Sequence, residues 1–447
     1  MTDATGCPLD VTDPTGLPLP PGDLGLPYVG ETLHFGRDPH RFVAERRARY
    51  GDVFKTHLLG APTVFLLDEG GNGWIFRGEG DYLENHWNPT TRRLLGGSCT
   101  AMLVGAEHTR RRRLLMPQFR HTAMSAFAPT FLRLAAAHYE RWAAAGEPVT
   151  LIPANQKLVF ELIVALLLGD DPSVDVAYLS RHFRLWTAGL AAVPVNLPIT
   201  TYGRALRANR KLRAAISGIV RRREGLREQP PDLLGAILSI RDEDGRPLAH
   251  DEVVDEAHNQ LFAGHDTTVT VMTNLMLQLA QRPDALARAR AEASMLDSAA
   301  DLEALRRLPY LNAVLDESMR AVTPVIGSFR VMRRDAVYRG YRIPAGWTVR
   351  LEIAGTHENG RVWPDPARFD PDRWLDEAKR PPHSYIPFGG GPRICLGANF
   401  AQAEMRVMLA LLLRDYQWEL EPGQDLRYRH IPFPRPRSGV RVRFGRR

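Results

Sequence analysis

From about residue 105 to residue 320, apolar positions recur at helical intervals. FLRLAAAHYERWAAAG (131–146), NQKLVFELIVALLLG (155–169) and LRAAISGIVRRREGLREQ (212–229) each present one apolar stripe and predict helices. LFAGHDTTVTVMTNLMLQLA (261–280) predicts a longer apolar helix, broken near its start by His265 and Asp266. A last helix is predicted from about Ala398 to Asp415. Two stretches change period. FKTHLLGAPTVFLLD (54–68) predicts a hairpin turned at Gly60-Ala61-Pro62, and GYRIPAGWTVRLEIAG (340–355) one turned at Pro344-Ala345-Gly346. No internal repeat or low-complexity linker appears. The chain therefore reads as mainly α with small β-sheets. A flexible N-terminal arm (1–15) precedes one large domain (16–447).

Composition narrows the class. The 447 residues are 44% apolar and 24% charged, enough to bury a large core and enclose a sizeable ligand. The formal charge is +7, with basic runs at Arg110–Arg113 and Arg221–Arg223. Acidic residues are interspersed throughout and no recognition motif accompanies the runs, so nucleic acid is not the expected partner. An anionic cofactor, an acidic protein or plain solvation suits the charge better. The three cysteines, Cys7, Cys99 and Cys395, form no disulfide or metal pattern. No secretory signal and no long uninterrupted apolar span is read, so a soluble, cytoplasmic monomer is expected. Loose membrane association to reach an apolar substrate is compatible with this.

The cysteine that stands out is Cys395, in FGGGPRICLGANF (388–400). Gly389, Gly390, Gly391 and Pro392 allow tight turns before it, and Gly397 leaves room for a flat group beside the backbone. Free N–H groups at a helix start favour thiolate over thiol, which suits a metal ligand. The alternatives are a phosphate loop, although GGGPR is neither GxGxxG nor GxxxxGK[ST], and an inert buried cysteine.

FGGGPRICLG resembles the haem-binding loop of the cytochrome P450 superfamily, FxxGxRxCxG. The resemblance implies that fold, a single large triangular domain, with Cys395 as axial thiolate of haem b (iron protoporphyrin IX) and Phe388 shielding the sulfur. Three further motifs occur in the family's order. Glu317 and Arg320 match its ExxR pair, and Arg373 in FDPDRW the arginine completing that structural triad. Ala263–Thr268, AGHDTT, matches the oxygen-binding segment, which implies that Asp266 and Thr267 deliver protons; the role of His265 stays open. His108 and Arg112 match an HxxxR pair, which with Arg330 and Arg393 implies a clamp for the haem propionates. Arg110, Arg111 and Arg113 are left as surface residues, some facing a redox partner.

LPPGxxGLPxxGET near the start, FKT (54–56) and the cysteine loop are similar to the cyanobacterial and animal branch that hydroxylates retinoic acid and related isoprenoids. The family's specificity regions correspond here to Trp87, Leu95, Phe183, Trp186, Leu190, Phe262, Ala263, Val325 and Ile326. Arg92 or Arg93 could meet a substrate carboxylate. The resemblance implies a monooxygenase that uses O2 and electrons from NAD(P)H through partner proteins, a ferredoxin or flavodoxin with its reductase. Its substrate would be a retinoid, carotenoid or other terpenoid. The alternatives are a fatty-acid hydroxylase, a peroxygenase, or a non-catalytic haem carrier or sensor.

Overall fold

The computed structural model describes residues 16–26, 29–169, 171–376 and 380–447. The expected flexible arm, including Cys7, lies outside the described residues. Helix takes up about 53% of the chain. Chain contacts divide it into two units.

The first unit gathers the chain up to Asn88, Met319–Phe369 and the run ending at Cys395. Its centre is a five-stranded sheet in the order Val53–Leu58, Ala61–Leu66, Thr348–Glu352, Gly327–Met332, Leu83–His86. The first two strands form the expected hairpin, with Val53 opposite Leu66. Its turn is Leu59-Gly60, both in the left-handed region, and Ala61 and Pro62 already belong to the second strand. The expected 340–355 hairpin does not form. Tyr341–Ile343 pairs backward with Ala336–Tyr338, turning at Arg339-Gly340. Thr348–Glu352 instead joins the large sheet, parallel to Ala61–Leu66 and antiparallel to Gly327–Met332. The sheet is buried on both faces. Val64, Leu66, Val349 and Leu351 pack with Trp74 and Ile75 of the helix Glu69–Gly78. Phe54 and Phe65 stack at 4.8 Å beside Phe35 and Phe42 on the other side.

The second unit is helical: Pro89–Ser318, Asp370–Asp376 and Leu396–Arg447. Its axis is the 31-residue helix His250–Ala280, most of it buried. Around it lie Gly105–Leu115, His121–Ala143, Leu151–Leu168, Val176–Thr187, Thr201–Glu224 and Ala398–Asp415. The last of these has the bounds expected from the sequence. Leu151–Leu168 is long and apolar enough to cross a membrane by composition, but most of it is buried against protein. A small sheet of Val149–Thr150, Arg441–Arg446 and Tyr416–Leu420, and the paired strands Tyr428–Arg429 and Arg435–Pro436, complete this unit.

Candidate active site

In the first unit the cysteine loop folds back on itself. The Cys395 N–H donates to the Phe388 carbonyl at 2.9 Å, and the Ile394 N–H to that of Gly391 at 3.1 Å. Cys395 is exposed at the end of this loop. The loop lies on Phe76. A Cβ at Gly390 would fall 2.4 Å from the Phe76 ring, and one at Gly391, whose φ is +61°, 2.8 Å from the Phe76 Cβ. Only glycine permits that approach.

Arg393 and Arg330, both named from the sequence, share one acid. Arg393 Nε donates to Glu79 Oε1 at 2.7 Å and Arg330 Nε to Glu79 Oε2 at 2.6 Å. All three side chains are nearly buried. Burial lowers the pKa of Arg330, and the Glu79 carboxylate counters it. Glu79 belongs to no motif and escaped the sequence reading. Arg320 donates to the carbonyls of His357 at 3.0 Å and Arg368 at 3.3 Å, and so braces the chain around 357–368.

In the second unit Glu317 is fully buried. Its donors include Arg373 Nε at 3.1 Å, Trp374 Nε1 at 2.9 Å and the Asp370 N–H at 2.9 Å. Trp374 also escaped the sequence reading, although it is the last residue of FDPDRW.

His108, buried, and Arg112, partly buried, sit one turn apart on Gly105–Leu115. Arg111 corrects the expectation of a surface residue. It is 0% exposed, hydrogen-bonded to Glu252 and, at 3.2 Å, to the Ser98 carbonyl, with Glu256 3.7 Å away. Arg110 does pair at the surface, with Glu107 at 3.0 Å, and exposed Arg113 pairs with Glu243.

The AGHDTT segment lies in mid-helix. Thr267 Oγ1 donates to the Ala263 carbonyl at 2.8 Å, and Ala263 itself is exposed. Gly264 lets Leu151–Leu168 approach this helix, since a Cβ there would lie 2.8 Å from Ile163 Cδ1. Asp266 is 4% exposed and bound by Arg435, from the strand Arg435–Pro436. His265 Nδ1 lies 3.4 Å from Asp266 Oδ1. Burial pushes the Asp266 carboxyl up, but His265 and Arg435 together outweigh it and hold the group at about 2. Asp266 is therefore a buried, stabilised carboxylate.

The expected substrate residues separate into groups. Leu95, Phe183 and Trp186 are fully buried. Phe183 and Trp186 form one aromatic cluster, with Trp186 5.5 Å from the partly buried Phe262. Trp186 Nε1 donates to the Leu94 carbonyl at 3.0 Å, fixing the end of helix Pro89–Leu95. Leu190 is partly buried, as are Trp87 and Ile326 in the first unit, where Val325 is 37% exposed. Arg92 and Arg93 are exposed.

The cytochrome P450 family model matches residues 20–442. Cytochrome P450 120 of Synechocystis sp. is 35% identical over 97% of this chain and 99% of its own length. Human cytochrome P450 26C1 is 33% identical, over 96% of this chain and 88% of its own. Among solved structures, a retinoic acid-bound cyanobacterial CYP120A1 superposes with a TM-score of 0.90 at 33% identity, covering 96% of this chain and all of that one. With the cysteine loop, the buried Glu317 and the AGHDTT helix in place, the chain belongs to the cytochrome P450 family.

Proposed function

We propose that this monooxygenase hydroxylates a retinoid or closely related isoprenoid, and that Cys395 would hold the iron of its haem. The observation that carries the ligand assignment is the exposed cysteine held by the loop's own hydrogen bonds on a glycine bed. The donor chemistry fits haem. Among the described residues no group of three His, Cys, Asp or Glu side chains could hold a bare metal ion. A metal held by one thiolate must bring its other ligands with it, as iron in a porphyrin does. Beside Gly397 an added Cβ would meet no atom within 4 Å, which leaves room for a macrocycle. Arg330, Arg393 and Arg112, together with His108, are the groups that the family motifs assign to its propionates.

Bound haem would supply reductive activation of O2 and insertion of one oxygen atom into a C–H bond, with thiolate donation favouring O–O cleavage. The chain's own part is to hold and move protons. The Thr267 hydroxyl, parked on the Ala263 carbonyl, is the mobile donor. Asp266, kept ionised, accepts protons from the interior and hands them on. Phe262 and Ala263 offer the apolar surface of the same helix to the substrate. The retinoid assignment is supported by the retinoic acid-bound relative at 33% identity. Exposed Arg92 and Arg93 are cations suited to a substrate carboxylate. Electrons are assigned to a separate ferredoxin or flavodoxin with its NAD(P)H-linked reductase. An acidic partner suits the net charge of +7.

The test is a spectral titration of the ferric holoprotein with retinoic acid, a carotenoid bearing a β-ionone ring, and a medium-chain fatty acid. A saturable blue shift of the Soret band with the isoprenoids alone is expected. A shift with the fatty acid alone overturns the substrate class. Thr267→Ala should divert electrons into released peroxide at the expense of product. Unchanged coupling removes the proton-delivery assignment.

A further inference from the structure

Between Val176 and Arg223 the sequence holds ten Lys and Arg residues and no Asp or Glu. Two of the ten are taken up by acids from elsewhere in the second unit: Arg213 by Asp255, and Arg223 by Asp232 at 2.6 Å. Arg181, Arg184, Arg204, Arg207, Arg210 and Lys211 are exposed. Among the described residues none of these six is ion-paired. Arg204, Arg207 and Lys211, at i, i+3 and i+7, share one face of helix Thr201–Glu224. Arg181 and Arg184 share a face of helix Val176–Thr187, which packs beside it.

The chain that joins these two helices is apolar and faces outward. In VPVNLPI (193–199), Val193 and Ile199 are 75% and 82% exposed, and Val195 and Leu197 are exposed between them. The backbone holds them there. The Val195 N–H donates to the Val193 carbonyl at 2.7 Å, and the Leu197 N–H to that of Val195 at 3.1 Å. Thr200 Oγ1 donates to the Leu197 carbonyl at 2.9 Å and accepts from the Gly203 N–H at 3.1 Å. A Cβ at Gly203 would lie 1.9 Å from the Leu197 carbonyl oxygen, so only glycine lets the segment seat on the start of the helix. Arg207 donates to the Pro198 carbonyl from the next turn. The result is a fixed ridge of four aliphatic side chains in water, flanked by unpaired cations. A contiguous apolar patch rimmed by charge marks an interaction surface.

We propose that this ridge and its cations dock the protein on an anionic lipid surface. Val193, Val195, Leu197 and Ile199 enter the acyl boundary, and the basic side chains meet the headgroups. The side chains favour lipid over an acidic protein. Protein interfaces draw most of their affinity from Trp, Tyr and Arg anchors seated in pockets, and this ridge has no aromatic side chain. Aliphatic side chains among cations match acyl chains beneath anionic headgroups. Docking has a consequence for the interior. Helix Val176–Thr187 carries Arg184 and Leu185 on its exposed side and Phe183 and Trp186 on its buried side. The aromatic cluster then stands about one helix diameter, ~10 Å, from the phase in which an isoprenoid dissolves. The surface itself does not depend on which apolar substrate the enzyme takes.

Co-sedimentation of the holoprotein with vesicles tests this. One set is phosphatidylcholine alone, and the other contains about one third phosphatidylglycerol. The wild type should bind the anionic vesicles at least roughly tenfold more tightly than the neutral ones, and added salt should weaken that binding. Val193→Ser combined with Ile199→Ser should lower binding to anionic vesicles by roughly tenfold. Arg204→Gln combined with Lys211→Gln should lower it by a similar factor and remove the preference for phosphatidylglycerol. All four side chains are exposed, so thermal melts should stay at the wild-type value and exclude misfolding as the cause. Met295→Ser, at an exposed apolar position of the same unit outside this segment, should leave binding unchanged. No binding to anionic vesicles, or binding that survives the Val193→Ser, Ile199→Ser pair, overturns the proposal. Indifference to both vesicle types together with retention on immobilised polyglutamate, lost in both double variants, assigns the surface to an acidic protein and overturns it as well.

Discussion

Glu79 holds Arg330 and Arg393 with one carboxylate oxygen each, at 2.6 and 2.7 Å, and all three side chains are withdrawn from water. Arg330 comes from a central strand and Arg393 from the cysteine loop, so this one acid ties the loop to the sheet. It also neutralises only one of two positive charges, so the trio keeps a net positive charge. Removing the acid leaves two guanidiniums buried together. Glu79→Ala should destabilise the fold by about 3–5 kcal/mol and lower haem content at a given expression level. Urea denaturation followed by circular dichroism measures the first, and the ratio of Soret to protein absorbance the second. Wild-type values in both would show that the trio is not holding the loop.

Arg110 and Arg111 are adjacent in sequence and opposite in consequence. Arg111 is fully buried among Glu252, Glu256 and the Ser98 carbonyl, and Arg110 pairs with Glu107 at the surface. Arg111→Ala should cost about 3–5 kcal/mol, because it leaves the wholly buried Glu256 without its cation. Arg110→Ala should cost less than about 1 kcal/mol. Thermal melts of the two variants side by side give the comparison. Equal losses would mean that the buried network contributes no more than a surface pair.

That contrast shows where sequence reading stops. The helix phase did carry a signal: His108, Arg111 and Leu115 fall at i, i+3 and i+7, and all three are buried. A run of four arginines hides this, because charge suggests exposure before phase is considered. Helix 398–415 was legible because Gly397 marks its start and one apolar pattern fills it. The 340–355 stretch was not, because strand partners are non-local. Thr348–Glu352 finds its neighbours at Ala61–Leu66 and Gly327–Met332, and no turn signal at Pro344-Ala345-Gly346 reveals that. The site divides in the same way. Cys395, Asp266 and Glu317 stand in contiguous motifs. Glu79, Trp374 and Arg435 act from far along the chain, and only folding brings them in.

Arg435 reaches Asp266 across 169 positions of sequence. Arg435→Ala removes one of the two groups that offset the burial of this carboxylate, so its pKa should rise and the fold should lose about 3 kcal/mol. Asp266→Asn combined with Arg435→Ala should lose less than the two single variants together, since neither charge is then stranded. A double-mutant cycle by urea denaturation should give a coupling of at least about 1 kcal/mol. Strict additivity would show that the ion pair is energetically idle.

Glu404 makes stability depend on pH. It is fully buried on the 398–415 helix, and Thr268 Oγ1 donates to its Oε2 at 3.2 Å. Burial raises its carboxyl to about 8, and the Thr268 hydrogen bond offsets this only in part. In the unfolded chain the same group titrates near the usual glutamate value of about 4.3. Between these values the folded protein binds the proton and the unfolded chain does not. The contribution is therefore complete below the unfolded value and is lost as pH rises towards 8, amounting to about 5 kcal/mol over that window. Glu404→Gln carries a neutral amide that needs no proton, so it should remove this slope. Urea midpoints at pH 5.5, 7 and 8.5 should fall steadily in the wild type and stay nearly level in the variant. Parallel slopes in the two proteins would mean that Glu404 is ionised throughout and that another group neutralises it.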